Sequence, residues 1–168
     1  TIGNINLYLS IKSKSQLSIT TTYELITAFL DAKTEELRAL GVSEDIEKFH
    51  YILVDYMQKN NVLTVPKSAL GSFSSNRFLN AAKSAGLIDE PKESRIGFIH
   101  QTLFDYFIAQ SLYKKYSSGL PINKILKEYN NCPLEKFETI KQFFELLLRN
   151  HADEFCELIE KVLFDKSL

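Results

Sequence analysis

The sequence has few of the residues that build disulfide frameworks, metal centres or strongly charged surfaces. Its 168 residues include 2 cysteines, and Cys132 and Cys156 lack metal-ligand spacing. The formal net charge of -1 at pH 7 leaves no basic excess for a nucleic acid or a membrane surface. We therefore interpret both cysteines as reduced, packed thiols, and we expect a cytoplasmic protein.

The sequence also lacks a long apolar run and a leader. No stretch of about 18 apolar residues is present, so we predict no membrane-spanning segment. The chain starts at Thr1 without a basic-then-apolar leader. We expect it to be part of a longer polypeptide.

Motifs for catalysis are missing as well. The sequence has no G-x-x-x-x-G-K-[ST] loop for phosphates and no apolar strand that ends in an aspartate for Mg²⁺. No Ser or Cys nucleophile stands near a histidine in a known motif. The three histidines are scattered, and the acidic residues after His151 indicate an exposed helix start rather than a metal site. We expect no catalysis by this chain and no metal site.

Apolar residues recur at helical spacing along most of the chain. Thr20, Thr21 and Thr22 are candidate N-caps for a long helix that Gly41 ends. Ser43 is a candidate cap for a second helix over residues 44–58. The buried stripe predicted for this second helix consists of Ile46, Phe49, Ile52, Leu53, Tyr56 and Met57.

The next region predicts short strands and short helices. A β-prone run from Val62 to Val65 ends at Pro66, which begins a short helix. A helix over residues 75–85 follows, and then two short strands, 87–88 and 95–99, flank a polar turn. Helix, strand, short helix, helix and hairpin is the order of a winged helix.

His100 stands where the last of these strands turns into a helix. Unpaired backbone N–H groups collect at a helix start, which is a common place for an anion. Taken alone, such a histidine is more often structural than a ligand. The helix that follows has an aromatic face that we interpret as core, formed by Leu103, Phe104, Phe107, Ile108 and Leu112.

The C-terminal part predicts further helices over residues 122–129, 134–150 and 152–164. The last two form an αα-hairpin, which is consistent with the first unit of a repeat array. The predicted buried residues of helix 134–150 are Phe137, Ile140, Phe143, Phe144, Leu147 and Leu148.

The stretch F-I-H-Q-T-L-F-D-Y-F-I-A resembles the F-x-H-x-x-x-x-E-Y-F-A-A pattern of the winged-helix domain in NACHT-type STAND NTPases. These are signal-transducing ATPases related to NOD-like receptors, and they include bacterial antiphage defence proteins. Asp105 and Ile108 depart from the pattern, and the proline that usually opens the preceding helical domain is missing near Gly3. The matching residues are Phe98, His100, Tyr106, Phe107 and Ala109.

The resemblance implies a mainly α fold in three parts. Residues 1–42 would be part of a helical domain, residues 43–116 a winged helix with a short β-hairpin, and residues 117–168 a C-terminal helical hairpin. The family places these parts after its ATPase core, which binds ADP or ATP with Mg²⁺. His100 would then be the cofactor-binding residue, reaching the β-phosphate of ADP and holding the resting state. The implied partners are that core and, after activation, further copies of the protein.

A winged-helix module that binds protein or DNA without a nucleotide is the alternative. DNA affinity depends on several cations that neutralise phosphates. This region offers few, and acidic residues accompany them, so we expect no nucleic-acid binding. The charged residues concerned are Lys67, Arg77, Lys83, Asp89, Glu90, Lys92, Glu93 and Arg95.

Overall fold

The computed structural model describes residues 21–42, 45–130 and 137–157. The protein is mainly helical, with one small three-stranded antiparallel sheet in this part of the chain. The predictions of a break at Cys132 and of a helix beyond residue 157 concern residues outside the described ranges, as does the region around Gly3.

Helix α1 runs over Thr22–Ala39, and both of its ends are fixed by local interactions. The Thr21 hydroxyl accepts the Glu24 N–H at 3.1 Å, and the Glu24 carboxylate accepts the Thr21 N–H at 3.3 Å. At the other end Gly41 adopts a φ of +73°, which a side chain would disfavour, and the chain turns back onto the helix. The predicted cap and the predicted stop are both confirmed.

Helix α2 runs over Ile46–Asn60, and Asp45 caps it by accepting the Lys48 N–H at 2.9 Å. The prediction that Ser43 caps this helix is wrong, because the helix begins later and the cap must directly precede its first residue. The buried residues of α2 are Ile46, Phe49, His50, Leu53, Val54 and Met57.

The next elements have the arrangement of a winged helix. The strand order is β1-β3-β2, with both pairs antiparallel, so the last strand lies in the middle. Val65 pairs with Ile96, and Ile88 pairs with Phe98. The elements are β1 (Val65–Pro66), a 3₁₀ segment (Lys67–Ser74), α3 (Asn76–Ser84), β2 (Ile88–Lys92) and β3 (Arg95–Phe98).

Strand β2 continues through residues for which the sequence predicted a turn. Pro91 is tolerated there because β2 is an edge strand, where a missing N–H need not break a ladder. The register is irregular between Asp89 and Lys92, which bends the strand toward the hairpin turn. The turn between β2 and β3 therefore has two residues, fewer than predicted, and one of them, Ser94, has a φ of 61°.

Helix α4, Gln101–Ser117, passes through the centre of the described structure. Every residue from 103 to 109 is buried, and the predicted apolar face is confirmed as core. The helix packs against α1, α2 and β3, and also against two later helices. These are α5 (Ile122–Asn130) and α6 (Phe137–Asn150).

The buried face of α6 differs from the predicted one. Phe137 is 79% exposed and Leu148 is 50% exposed, so their predicted burial is wrong. The face toward α4 includes Thr139 and Gln142, and the Thr139 hydroxyl donates to the Asp105 carboxylate at 2.8 Å. Residues 152–157 are helical again, directly after α6.

Candidate functional site

His100 is the residue directly before α4, and its side chain is partly exposed. Its backbone is extended, with φ of -133° and ψ of 135°, and its carbonyl accepts the Leu103 N–H at 3.0 Å. The imidazole does not cap the helix and makes no hydrogen bond to any residue that the structure describes. Its ring nitrogens are therefore available to a group that is not part of this fold.

The backbone on both sides of His100 is firmly held. On one side, β3 is the central strand, with Ile96 buried. The Ile99 N–H extends this pairing by donating to the Leu87 carbonyl at 3.4 Å. On the other side, α4 is buried from residue 103 to residue 109. The first turn of α4 has no acidic residue, so nothing there offsets the positive end of the helix dipole. The backbone that carries the imidazole is therefore held in place, and the ring lies beside backbone N–H groups that favour an anion.

His50 lies in different surroundings, and no role is predicted for it from the sequence. Its side chain is 1% exposed, and its ring stacks on that of Phe107 with centroids 4.4 Å apart. Burial lowers the pKa of His50 to about 3, so the imidazole is neutral at pH 7. The feature of the sequence that could have predicted this burial is the position of His50, four residues after Ile46 and on the same face of α2.

His151 belongs to a third, separate cluster. Its Nε2 lies 3.2 Å from the Tyr113 hydroxyl, and its Nδ1 lies 3.4 Å from the Glu154 carboxylate. The Tyr116 hydroxyl donates to the same carboxylate, and this bond raises the pKa of Tyr116 to about 12. Within the described ranges no group of three or more ligating side chains could hold a metal ion.

Three cations of the winged-helix region are engaged within the fold. Lys67 forms an ion pair with Glu90 at 2.7 Å. The Arg77 guanidinium donates to the Gly41 carbonyl at 2.9 Å, and the Arg95 guanidinium donates to the Thr64 carbonyl at 2.7 Å. The ion pair with Glu90 offsets the charge of Lys67, whereas the two arginines bond to neutral carbonyl groups and keep their charge.

No protein-family model, curated protein or solved structure matches the chain. Among the described helices, none is both long and apolar enough to cross a bilayer. The functional interpretation therefore depends on the geometry around His100 and on the resemblance noted in the sequence.

Proposed function

We propose that this chain is the regulatory region that follows the ATPase core of a NACHT-type STAND NTPase. In this proposal His100 donates a hydrogen bond to the β-phosphate of ADP held by that core, and so stabilises the resting state. The observation that carries the proposal is the partly exposed imidazole at the junction of β3 and α4, which makes no hydrogen bond to the described part of the chain. The chain itself contributes no hydrolysis.

The local chemistry supports a phosphate as the partner of His100. An imidazole donates to phosphate oxygens, and a nearby anion favours its protonated, doubly donating form. The N–H groups at the start of α4 point toward the same region, and no carboxylate of the first turn competes with the anion. Both features favour negative charge, and neither would favour a cation.

The packing of α4 supplies a route from this contact to the rest of the protein. Helix α4 packs against β3 at its start and against α1, α2, α5 and α6 along its length, so a displacement of α4 would be transmitted to all of them. Exchange of ADP for ATP would remove the state-specific contact and release a rigid-body rotation of the winged helix. That rotation would expose the surfaces through which activated copies associate in signalling.

Self-association of the full-length parent protein tests this proposal. Losing one charge-assisted hydrogen bond costs about 1.5–3 kcal/mol, so the His100→Ala variant should shift the resting equilibrium by about ten- to a hundredfold. We expect larger assemblies without added ATP, measured by light scattering on a sizing column. Gln101→Ala, at the neighbouring exposed position, is the matched control and should remain like the wild type. Unchanged assembly of the His100→Ala variant would refute the role of His100.

The alternative, a winged-helix module for DNA, is weakened by the ion pair that offsets Lys67 and by the acidic residues that accompany the other cations of this region. A gel-shift titration at increasing salt distinguishes the two functions. We expect no retarded complex with duplex DNA. A retarded complex that weakens steeply with salt would favour the DNA-binding alternative.

A further inference from the structure

A cleft of about 550 Å³ lies between α1, α2 and α4, and its lining comes from these three helices and from Val42 and Asp45. This volume is typical of sites for small organic molecules. Apolar side chains, among them Leu30 and Phe107, form part of the wall. The cleft is separate from His100, which is not among its lining residues.

His50 is one of the residues that line the cleft, and it carries a buried polar atom that has no partner among the described residues. The side chain is 1% exposed, and its Nε2 has no hydrogen bond to any residue in the described ranges. Leaving a buried polar atom unpaired is unfavourable. A ligand hydroxyl that reaches this nitrogen would recover that free energy.

Carboxylates predominate among the charged side chains that line the cleft. Asp45 caps α2, Glu47 pairs with Lys114 at 3.1 Å, and Arg38 is held by an ion pair within its own helix. Asp31 is exposed and makes no hydrogen bond or ion pair to the described residues. One carboxylate therefore remains available to a cation.

We propose that this cleft binds a small organic cation, in which an ammonium group is linked to an aromatic body that carries a hydroxyl. The ammonium pairs with Asp31, the body lies against Leu30 and Phe107, and the hydroxyl bonds to Nε2 of His50. This site needs neither a nucleotide nor His100, so it stands or falls independently of the proposed function.

Calorimetric titration of the whole chain with three matched probes tests the ligand class. Tyramine has all three features, 2-phenylethylamine lacks the hydroxyl, and 4-hydroxyphenylacetate replaces the cation with an anion. We expect saturable binding of tyramine, binding of 2-phenylethylamine that is about two- to tenfold weaker, and no saturable binding of the anion. Absence of saturable tyramine binding, or equal binding of the anion, would overturn the proposal.

Substitutions locate the site. Asp31→Asn should weaken tyramine about two- to fivefold, since an exposed ion pair contributes up to about 1 kcal/mol. Asp55→Asn, which removes an exposed carboxylate paired with Lys59 on α2, should leave tyramine binding unchanged. Equal affinities of these two variants would overturn the assignment of Asp31.

The role of His50 has two independent readouts. In the His50→Phe variant, tyramine and 2-phenylethylamine should bind equally, because the hydroxyl has lost its partner. In the wild type, the NMR resonance of the His50 ring nitrogen should shift with tyramine and not with 2-phenylethylamine. This second measurement does not depend on whether a variant folds. A hydroxyl preference that survives in His50→Phe, or a ring resonance that tyramine leaves unmoved, would overturn this role.

Discussion

Two histidines lie near Phe98 and differ in their access to solvent. The ring of His50 is 5.7 Å from that of Phe98 and 4.4 Å from that of Phe107, within the core. His100 follows Phe98 by two positions and remains partly exposed at the end of the strand. The aromatic side chains thus bury the ring of His50 and leave that of His100 partly exposed to solvent.

The buried His50 predicts a pH-dependent stability. Its pKa is lowered from 6.5 to about 3 in the folded state, because burial disfavours the charged ring. Between these values the unfolded chain binds the additional proton, so stability falls as the pH falls through about 6.5 toward 3. We expect a loss of about 2 kcal/mol between pH 7 and pH 5 from this group alone.

Urea unfolding of the wild type and of His50→Phe at both pH values measures this contribution. The variant should lack the His50 component of the pH slope, whereas His151→Gln, which changes a partly exposed ring, should keep it. Equal pH slopes in the wild type and in His50→Phe would show that burial of this imidazole does not govern the dependence.

The sequence contained part of this information about residues. Ile46, Phe49 and Leu53 marked the buried side of α2, and His50 lies between them on the same face. Ile52 and Tyr56 offered a competing register, however, and both are only half-buried. Spacing alone does not tell whether a histidine on such a face is enclosed, because enclosure depends on Phe98 and Phe107 from distant elements.

Among the helices, the contact between α4 and α6 joins the winged-helix region to the C-terminal region. The Asp105 carboxylate and Gln142 are both buried there, and Asp105 accepts a hydrogen bond from the Thr139 hydroxyl at 2.8 Å. Removing the donor of a buried acceptor costs more free energy than removing that of an acceptor which water can reach. The hydrogen bond between Thr139 and Asp105 favours the face of α6 that meets α4.

Thr139→Val should therefore destabilise the fold by about 1–3 kcal/mol, although valine fills nearly the same space. The loss arises because Asp105 is deprived of a donor while it stays buried. Chemical denaturation compares this variant with Glu138→Gln, a change at an exposed neighbouring position that should be nearly neutral. A Thr139→Val protein as stable as the wild type would contradict this role of the hydrogen bond.

Helix ends were predictable from local sequence, whereas helix faces were less so. The cap at Thr21 and the stop at Gly41 depend on residues within one turn. Phe143 and Phe144, by contrast, admit two neighbouring registers for α6, and the chosen one places polar Thr139 inside and Phe137 outside. Asp105, which decides between them, is 34 positions away from Thr139 in the chain.

For the whole molecule, the order of elements along the chain was sufficient to predict a mainly helical fold with a short hairpin. The structure adds that β1 pairs with β3, which places β3 in the centre of the sheet. This pairing holds the backbone next to His100 in place. A resemblance in sequence singles out His100, and the structure adds that its ring makes no hydrogen bond to the described residues. The spacing of residues in the sequence does not reveal whether this ring is accessible, because accessibility depends on which residues surround it in the fold.

The rate of ADP release from the full-length, ADP-loaded parent protein tests the central claim most directly. If His100 holds the β-phosphate, the His100→Ala variant should release ADP about ten- to a hundredfold faster than the wild type, with Gln101→Ala unchanged. Release of ADP from His100→Ala at the wild-type rate would contradict the account.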